Sequence, residues 1–432
     1  MAYPSTKENF PDAATLAAAA SLGAGDLPGL LDRMGLTLEG LQDRVGTDDS
    51  TDEGNLLMRM IRAEVAIPIN VEKWGILPGP GLGAANAYTL ATILNAYYST
   101  LPVELIFPSR WGSYEFTSLL LAGQSHSIRG MGQEWTELVY TGAGGTANPF
   151  IHVLGTDTAD FSGRHRYAGV SKMKIRNAGP ADSIGLQVVH GTHHHYADLF
   201  FEGFRRHALR ASNLSDSWLD RLEFEFCGSV DDSNLAAVKF DGDASAYWAG
   251  DANKWNACRW EVCGDRQLDL LEAASGQPNK HVFTACKMEN SGSGSDGLGG
   301  TGPQVNIVNG THVVFQGCDF TLQDKRSGHA LIPSIIGVSG SAPALYMSDC
   351  QFSFGSGARP KVFTSFVDVA GANATAVLSN VCGNSGNTTA FPTQMVKATS
   401  TPTVGLKNVG WIGANRGSGP TVLSGAVASL PY

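Results

Sequence analysis

The chain has 432 residues, a formal net charge of −10, 43% hydrophobic and 16% charged residues, and 52 glycines. It is long enough for one elongated domain or two or three compact ones, and an acidic balance with no Lys/Arg-rich block argues against a nucleic-acid partner. No apolar run approaches the roughly 20 residues of a membrane helix, and seven cysteines, an odd number, do not read as a disulfide scaffold. The N-terminus MAYPSTKENFPD lacks a basic region followed by an apolar run, so no secretion signal is expected and synthesis in a cytoplasm is.

Residues 1–66 form the first segment. Leu31, Met34, Leu38, Leu41 and Val45 are spaced 3-4-3-4, a short heptad seam. Gly35 and Gly40 weaken any lone helix here. The seam fits either an amphipathic helix packed on its own domain or a small oligomeric stalk.

Residues 67–125 read as a lead-in. NAYTLATILNAYYST, 86–100, has apolar residues at helical spacing and is expected to cap one end of a coil. ELIFPSRWGSYEF is the first strand pair, and SHSIRGMGQEWTELVYTG comes next.

From about residue 126 to 413 the chain repeats. Cys286, Cys318, Cys350 and Cys382 are each 32 residues apart. Around them apolar residues alternate, two small or polar residues come next, and then a Cys or apolar residue. Alternation means strand, and the small pair means a tight turn. The residue after the turn is Met131, Met173, Leu199, Leu222, Cys258, Cys286, Cys318, Cys350, Val381 and Val409. Between these copies a second strand recurs, as in GLQVVHG, AAVKFDGD, QVNIVNG, IIGVSGS and FVDVAGA. Two or more short strands per coil, with coils 23 to 42 residues apart, is the pattern of a parallel β-helix. A propeller would need about four strands in each repeat. The cysteines are expected as free thiols in a column of the core. Residues 414–432 are expected to be the C-terminal end of the coil, a short length that favours a modest protein without a large C-terminal domain.

HGTHHHYADLFFEG, 190–203, aligns with NGTHVVFQGCDF, 309–320. Its histidines therefore lie on a strand of the repeat. His194 should point inward, like Val313, while His193 and His195 point out. Three successive strand residues cannot converge on one metal, and no metal or other cofactor is expected. The glycine-rich NSGSGSDGLGGTGPQ lacks the Lys-Ser/Thr of a phosphate-binding loop. Neither a GxSxG nor an HExxH motif is present.

An amphipathic helix, a following strand, Pro108, Gly112 and Tyr114 in a turn, and the Ile128-Arg129-Gly130 segment resemble the pectate-lyase-like superfamily of right-handed parallel β-helices. The turn here is longer between Pro and Gly, and the usual acidic pair before the helix is absent. LEGLQDRVGTDDST, 38–51, resembles the N-terminal segment of phage tail fibres and minor tail proteins, particularly of phages that infect actinobacteria. Together the resemblances imply a virion tail spike: 1–66 attaches to other tail or baseplate proteins, and a homotrimeric β-helix engages host envelope polysaccharide.

Outward residues carry the candidate chemistry. Three positions after the ladder residue stand Arg176, Glu202, Glu225, Glu261, Glu289, Thr321, Ser353 and Asn384. Four successive coils thus place a glutamate in one exposed column. One position after the ladder residue stand Lys174, Glu223, Arg259, Lys287 and Asp319. Adjacent coils separate two carboxylates by about 5 Å and alternate coils by about 10 Å, spacings relevant to retaining and inverting glycoside hydrolysis. Close like charges raise one pKa and place an acid beside a base. Glu225 and Glu261 are the first pair, with Glu202 and Glu289 beside them. Arg176, Arg259, Tyr247 and Trp248 are candidates for substrate binding, the two aromatics in the loop FDGDASAYWAGDANKW. Asp241, Asp243 and Asp251 of that loop are alternative acids. No lyase-type Asp cluster with a following Arg is legible, which ranks a lyase below a hydrolase. Three readings remain open: a glycan-cleaving tail spike, a tail or adhesion protein that only binds (its charges a solvated ladder), and a cellular polysaccharide-degrading enzyme.

Overall fold

The computed structural model describes residues 67–429 apart from 98–102, 109–111, 122–125, 157–162, 230–234, 242–251, 265, 272–279, 291–302, 323–333, 355–364, 372, 385–393, 413–420 and 426–427. The heptad segment, Tyr247, Trp248, Asp243, Asp251 and most of the glycine-rich loop lie outside the described residues.

The chain winds into a parallel β-helix with three short strands in each coil. A first strand such as Asn253–Asn256 is followed by a one-residue bend and a second strand such as Arg259–Glu261. A corner then leads to a third strand such as Leu268–Leu271. The first and second faces belong to a 21-stranded sheet, and the third faces stack in an 11-stranded sheet. Sequence alternation indicates at least two strands per coil, and the third face accounts for the recurring GLQVVHG-type strands. Register is kept from coil to coil: Tyr196 lies opposite Leu219, Leu219 opposite Trp255, Trp255 opposite Phe283, and Phe283 opposite Phe315. A slip of one residue would turn every inward side chain outward, so the buried column fixes this register.

The bend explains the pair of small or polar residues in the repeat. Its second residue is left-handed in coil after coil: Lys172, Asp198, Arg221, Ala257, Ala285, Gly317, Asp349, Asn380 and Asn408, with φ between 50° and 61°. That conformation costs a non-glycine residue about 1–2 kcal/mol, and contacts along the column offset it. Arg221 Nε donates to Asp198 Oδ1 at 2.6 Å. Asn408 Nδ2 donates to Asn380 Oδ1, and Asn380 Nδ2 to Asp349 Oδ1, each at 3.0 Å.

After the bend comes the inward ladder. Met173, Leu199, Leu222, Cys258, Cys286, Cys318, Cys350 and Val381 are buried. Met131, expected to head this ladder, is instead 53% exposed. Ser171 and Lys174 are three residues apart, yet their partners Arg129 and Glu137 are eight apart. Met131–Trp135 is thus an insertion in the bend, and buried Thr136 takes the inward place beside Met173. Gly130 admits the insertion, because a Cβ there would lie 2.3 Å from the Lys172 carbonyl oxygen.

Aromatic stacks fill much of the interior. Phe201, Phe224 and Trp260 stack with centroids 5.4 and 5.1 Å apart. Trp255, Phe283 and Phe315 do so at 5.2 and 4.8 Å, and Phe320, Phe352 and Phe366 at 5.1 and 4.7 Å. Each pair adds about 0.5–1.5 kcal/mol beyond burial. All seven cysteines are free thiols. The thiols of Cys258, Cys286, Cys318 and Cys350 donate to the carbonyls of Leu219, Trp255, Phe283 and Phe315 on the preceding coil, and the Cys286 thiol and burial push Cys318 up to about 12.

His194 points inward as its repeat position requires, and His193 and His195 face out. His194 heads a polar inward column with Ser217, Asn253 and His281, all buried. Its Nδ1 hydrogen-bonds Tyr196 OH at 2.7 Å and its Nε2 reaches the His165 carbonyl at 2.9 Å. At the start of the coil a helix over Gly83–Thr92 continues as a wider turn through Ile93–Tyr97. Tyr114 anchors the lead-in by donating its hydroxyl to Glu72 Oε1 at 2.6 Å. Among the described residues no helix is long and apolar enough to cross a membrane.

Candidate active site

The glutamate column is one register position of the second face. Arg176 lies opposite Glu202, Glu202 opposite Glu225, and Glu225 opposite Glu261. Glu289 continues the column to Thr321, Ser353 and Asn384. The inner column beside it runs Glu137, Lys174, Phe200, Glu223, Arg259, Lys287 and Asp319. Strand alternation points both columns outward, and the bend fixes their offset from the buried ladder. Together they form a grid two residues wide and several coils long.

Charge within the grid is unevenly matched. Lys174 Nζ lies 2.7 Å from Glu202 Oε2. Arg259 pairs with Glu261 and also reaches Glu223 at 3.9 Å. Lys287 Nζ lies 2.5 Å from Glu289 Oε2. Arg176 turns away from the glutamate column to Glu137, 2.8 Å from Nε to Oε1. Glu225 alone of the four has no ion pair among the described residues. Burial raises its pKa, and the charges of Glu202, Glu223 and Glu261 raise it further. Lys174, the cation that opposes this, is already engaged by Glu202. The grid therefore holds one carboxyl with a raised pKa between two carboxyls that each pair with a cation. Adjacent coils put these groups about 4.8 Å apart along the stack.

Two aromatic side chains belong to this grid, and neither is among the candidates legible in the sequence. Phe200 stands between Lys174 and Glu223, with Lys174 Nζ 5.0 Å from its ring centroid. Phe226 follows Glu225 directly, is left-handed with φ 53°, and is 36% exposed. Counting one position past each ladder residue would have found Phe200; Phe226 is marked only by a large apolar residue at a corner. Tyr247 and Trp248 lie outside the described residues. The flanks of their loop, Asp241 and Asn253, sit where the third face passes to the first, across the first and second faces from the glutamates. Asp241 itself is ion-paired with Arg210 at 2.6 Å and Lys239 at 3.4 Å. Beside it Asp269 is buried, its pKa raised by burial, while Asn306 donates to it at 2.7 Å. The carboxyls of this second acidic cluster are all paired with Arg210, Lys239, Arg266 or Asn306, whereas Glu225 in the grid has no ion pair among the described residues.

The sequence is similar to Depolymerase 1, capsule KN3-specific, of Klebsiella phage KN3-1, with 27% identity over 220 residues, 49% of this chain and 25% of that protein. In structure the chain is similar to the ORF18 protein of Geobacillus virus E2, with a TM-score of 0.60 and 17% identity over 86% of this chain and 66% of the other. It is also similar to the tailspike of Acinetobacter phage vb_AbaP_AS12, with a TM-score of 0.54 and 11% identity over 84% of this chain and 62% of the other. The chain thus spans a quarter of the curated relative it matches. No family model matches it. The structural likenesses establish a fold shared with the Geobacillus virus protein and the Acinetobacter phage tailspike.

Proposed function

We propose that this chain is a phage tail-spike protein that binds a bacterial surface polysaccharide and hydrolyses it at the glutamate grid. Glu225 is the proton donor to the glycosidic oxygen. Glu202 and Glu261, one coil to either side and each paired with a cation, are the partners that act as nucleophile or base. The observation that carries this reading is the unpaired, pKa-raised Glu225 between two cation-held carboxylates. An acid and a carboxylate about 5 Å apart is the spacing of a retaining glycosidase. Phe200 and Phe226 offer ring faces for sugar stacking, and the named specificity of the Klebsiella phage relative for a capsule supports a capsular or envelope glycan as substrate. Residues 1–66 attach the spike to the tail, the β-helix forms a homotrimer, and the site of action is the virion at the host surface.

The test is release of reducing ends from an array of purified bacterial capsular and envelope polysaccharides, the Klebsiella KN3 capsule among them. Wild type is compared with Glu225→Gln, Glu202→Gln and Glu261→Gln. Release by wild type that is lost in Glu225→Gln is the expected result; release that survives Glu225→Gln unchanged would overturn the assignment. One observation favours a second reading. Glu202, Glu261 and Glu289 each have a basic partner, as in a solvated charge ladder of a spike that only grips. Binding to the array without release of ends would identify that case.

A further inference from the structure

The first face carries a different group of side chains, well away from the glutamates. Gly169, His195, Trp218 and Lys254 occupy one outward register position on four successive coils. Trp218 is 42% exposed, and Lys254 Nζ lies 5.3 Å from its ring. His195 is 59% exposed in its side chain and bonds Asp220 Oδ2 through Nε2 at 3.0 Å. Two residues before this column the chain is left-handed at Tyr167 and His193. Their ring centroids are 5.5 Å apart, and Tyr167 is 61% exposed. Thr192 Oγ1 holds His193 Nδ1 at 2.9 Å.

We propose that this aromatic strip is a second glycan-binding surface that holds the polymer without cleaving it; it rests on the polysaccharide reading above. Each ring is steadied on one side by a polar or charged neighbour and leaves its other side in water. A rigid ring with one free face is what the apolar face of a pyranose stacks on. The rings advance by about 4.8 Å per coil, close to the length of one sugar unit, so a chain laid along the axis meets a ring at successive residues. Gly169 leaves the step before His195 open for it. Lys254 stands at the end of the strip, placed for the carboxylate of an acidic sugar.

A second copy of the chain fits the strip less well. The core of a protein interface is depleted in charge, and covering these rings would also cover Asp216, Asp220, Lys254 and the Asp198–Arg221 pair. Sugar hydroxyls bond to such groups and leave them solvated. The bend and the second face separate the strip from Glu225, so it acts as a holding site, keeping cleaved polymer attached between cuts.

The experiment measures affinity for the polysaccharide array in a Glu225→Gln background, adding Trp218→Ala, Tyr167→Ala, both together, or Trp218→Phe. Trp218→Ala should weaken binding by about tenfold, the loss of one stacking contact. The double variant should weaken it further, and Trp218→Phe should retain most of it. With Glu225 intact, Trp218→Ala should release ends at the wild-type rate from a tetrasaccharide cut from the bound glycan, and its sedimentation should match wild type. Affinity unchanged in Trp218→Ala, Tyr167→Ala and the double variant overturns the strip and leaves the glutamate grid standing. Weaker binding accompanied by dissociation of the oligomer also overturns it, assigning the rings to contact between copies. A wild-type protein that binds no glycan of the array overturns both readings together.

Discussion

Lys174 Nζ and Glu202 Oε2 lie 2.7 Å apart, on neighbouring coils and in neighbouring columns. That contact commits Lys174 to Glu202, so its charge lowers the Glu225 pKa less than burial and the neighbouring carboxylates raise it. Burial is the largest influence on the central carboxyl, and a residue two coils away opposes it.

Substituting Lys174→Met removes a positive charge from both carboxyls. Glu202 loses its partner, and the opposing influence on Glu225 disappears, so Glu225 holds its proton to higher pH. The alkaline limb of the kcat/KM profile for polysaccharide cleavage should move up in pH. A limb that stays in place would show that Glu225 is not the proton donor.

Glu202→Gln and Glu261→Gln act in the opposite direction on the same group. Each removes a negative neighbour that raises the Glu225 pKa, so the alkaline limb of any residual activity should move down. Glu225→Gln should cost at least about 100-fold in kcat, the scale of general-acid catalysis, with binding retained. Rate and affinity falling together would indicate a binding residue instead.

Buried histidines predict how stability responds to acid. Burial lowers His194 and His281 to about 3 and His207 to about 4, from an ordinary 6.5. The unfolded chain therefore takes up protons below pH 6.5 that the folded chain refuses. Stability is full above pH 6.5 and falls as pH drops towards 4, by up to about 1.4 kcal/mol per pH unit for each histidine. The denaturant midpoint should decline between pH 7 and pH 5, and His281→Phe should flatten the decline. A midpoint constant over that range would contradict the buried neutral state.

The cysteine ladder predicts silence towards thiol reagents. Cys258, Cys286, Cys318 and Cys350 are buried, and the thiol pKa values of Cys286, Cys318 and Cys350 are raised. Native protein at pH 8 should react with Ellman's reagent at Cys382 at most, and denatured protein at all seven cysteines. Rapid labelling of several thiols in the native state would show that the column opens.

The glutamate column is legible in the sequence because the bend has fixed length. Once the left-handed residue is placed, every outward position can be counted from it, and Glu202, Glu225, Glu261 and Glu289 fall into line. The same counting fails at Met131, where an insertion lengthens the bend and apolar character alone hides the shift. The exposed histidines fall where the count puts them, yet nothing in the sequence marks them as part of a surface. Their association with Tyr167 and Trp218 depends on register between coils, and Trp218 lies in a stretch with no alternation of its own. Which glutamate lacks a cation is not legible either, since Arg259 and Lys174 choose their partners by side-chain reach.

The insertion Met131–Trp135 leaves the pairing of Arg129 and Glu137 intact on either side. A coil thus tolerates extra residues at its bend without passing the disturbance to the next coil. Such a molecule can be altered locally: a bend exchanged for a longer one would change the outer surface while the coils on either side stay in phase.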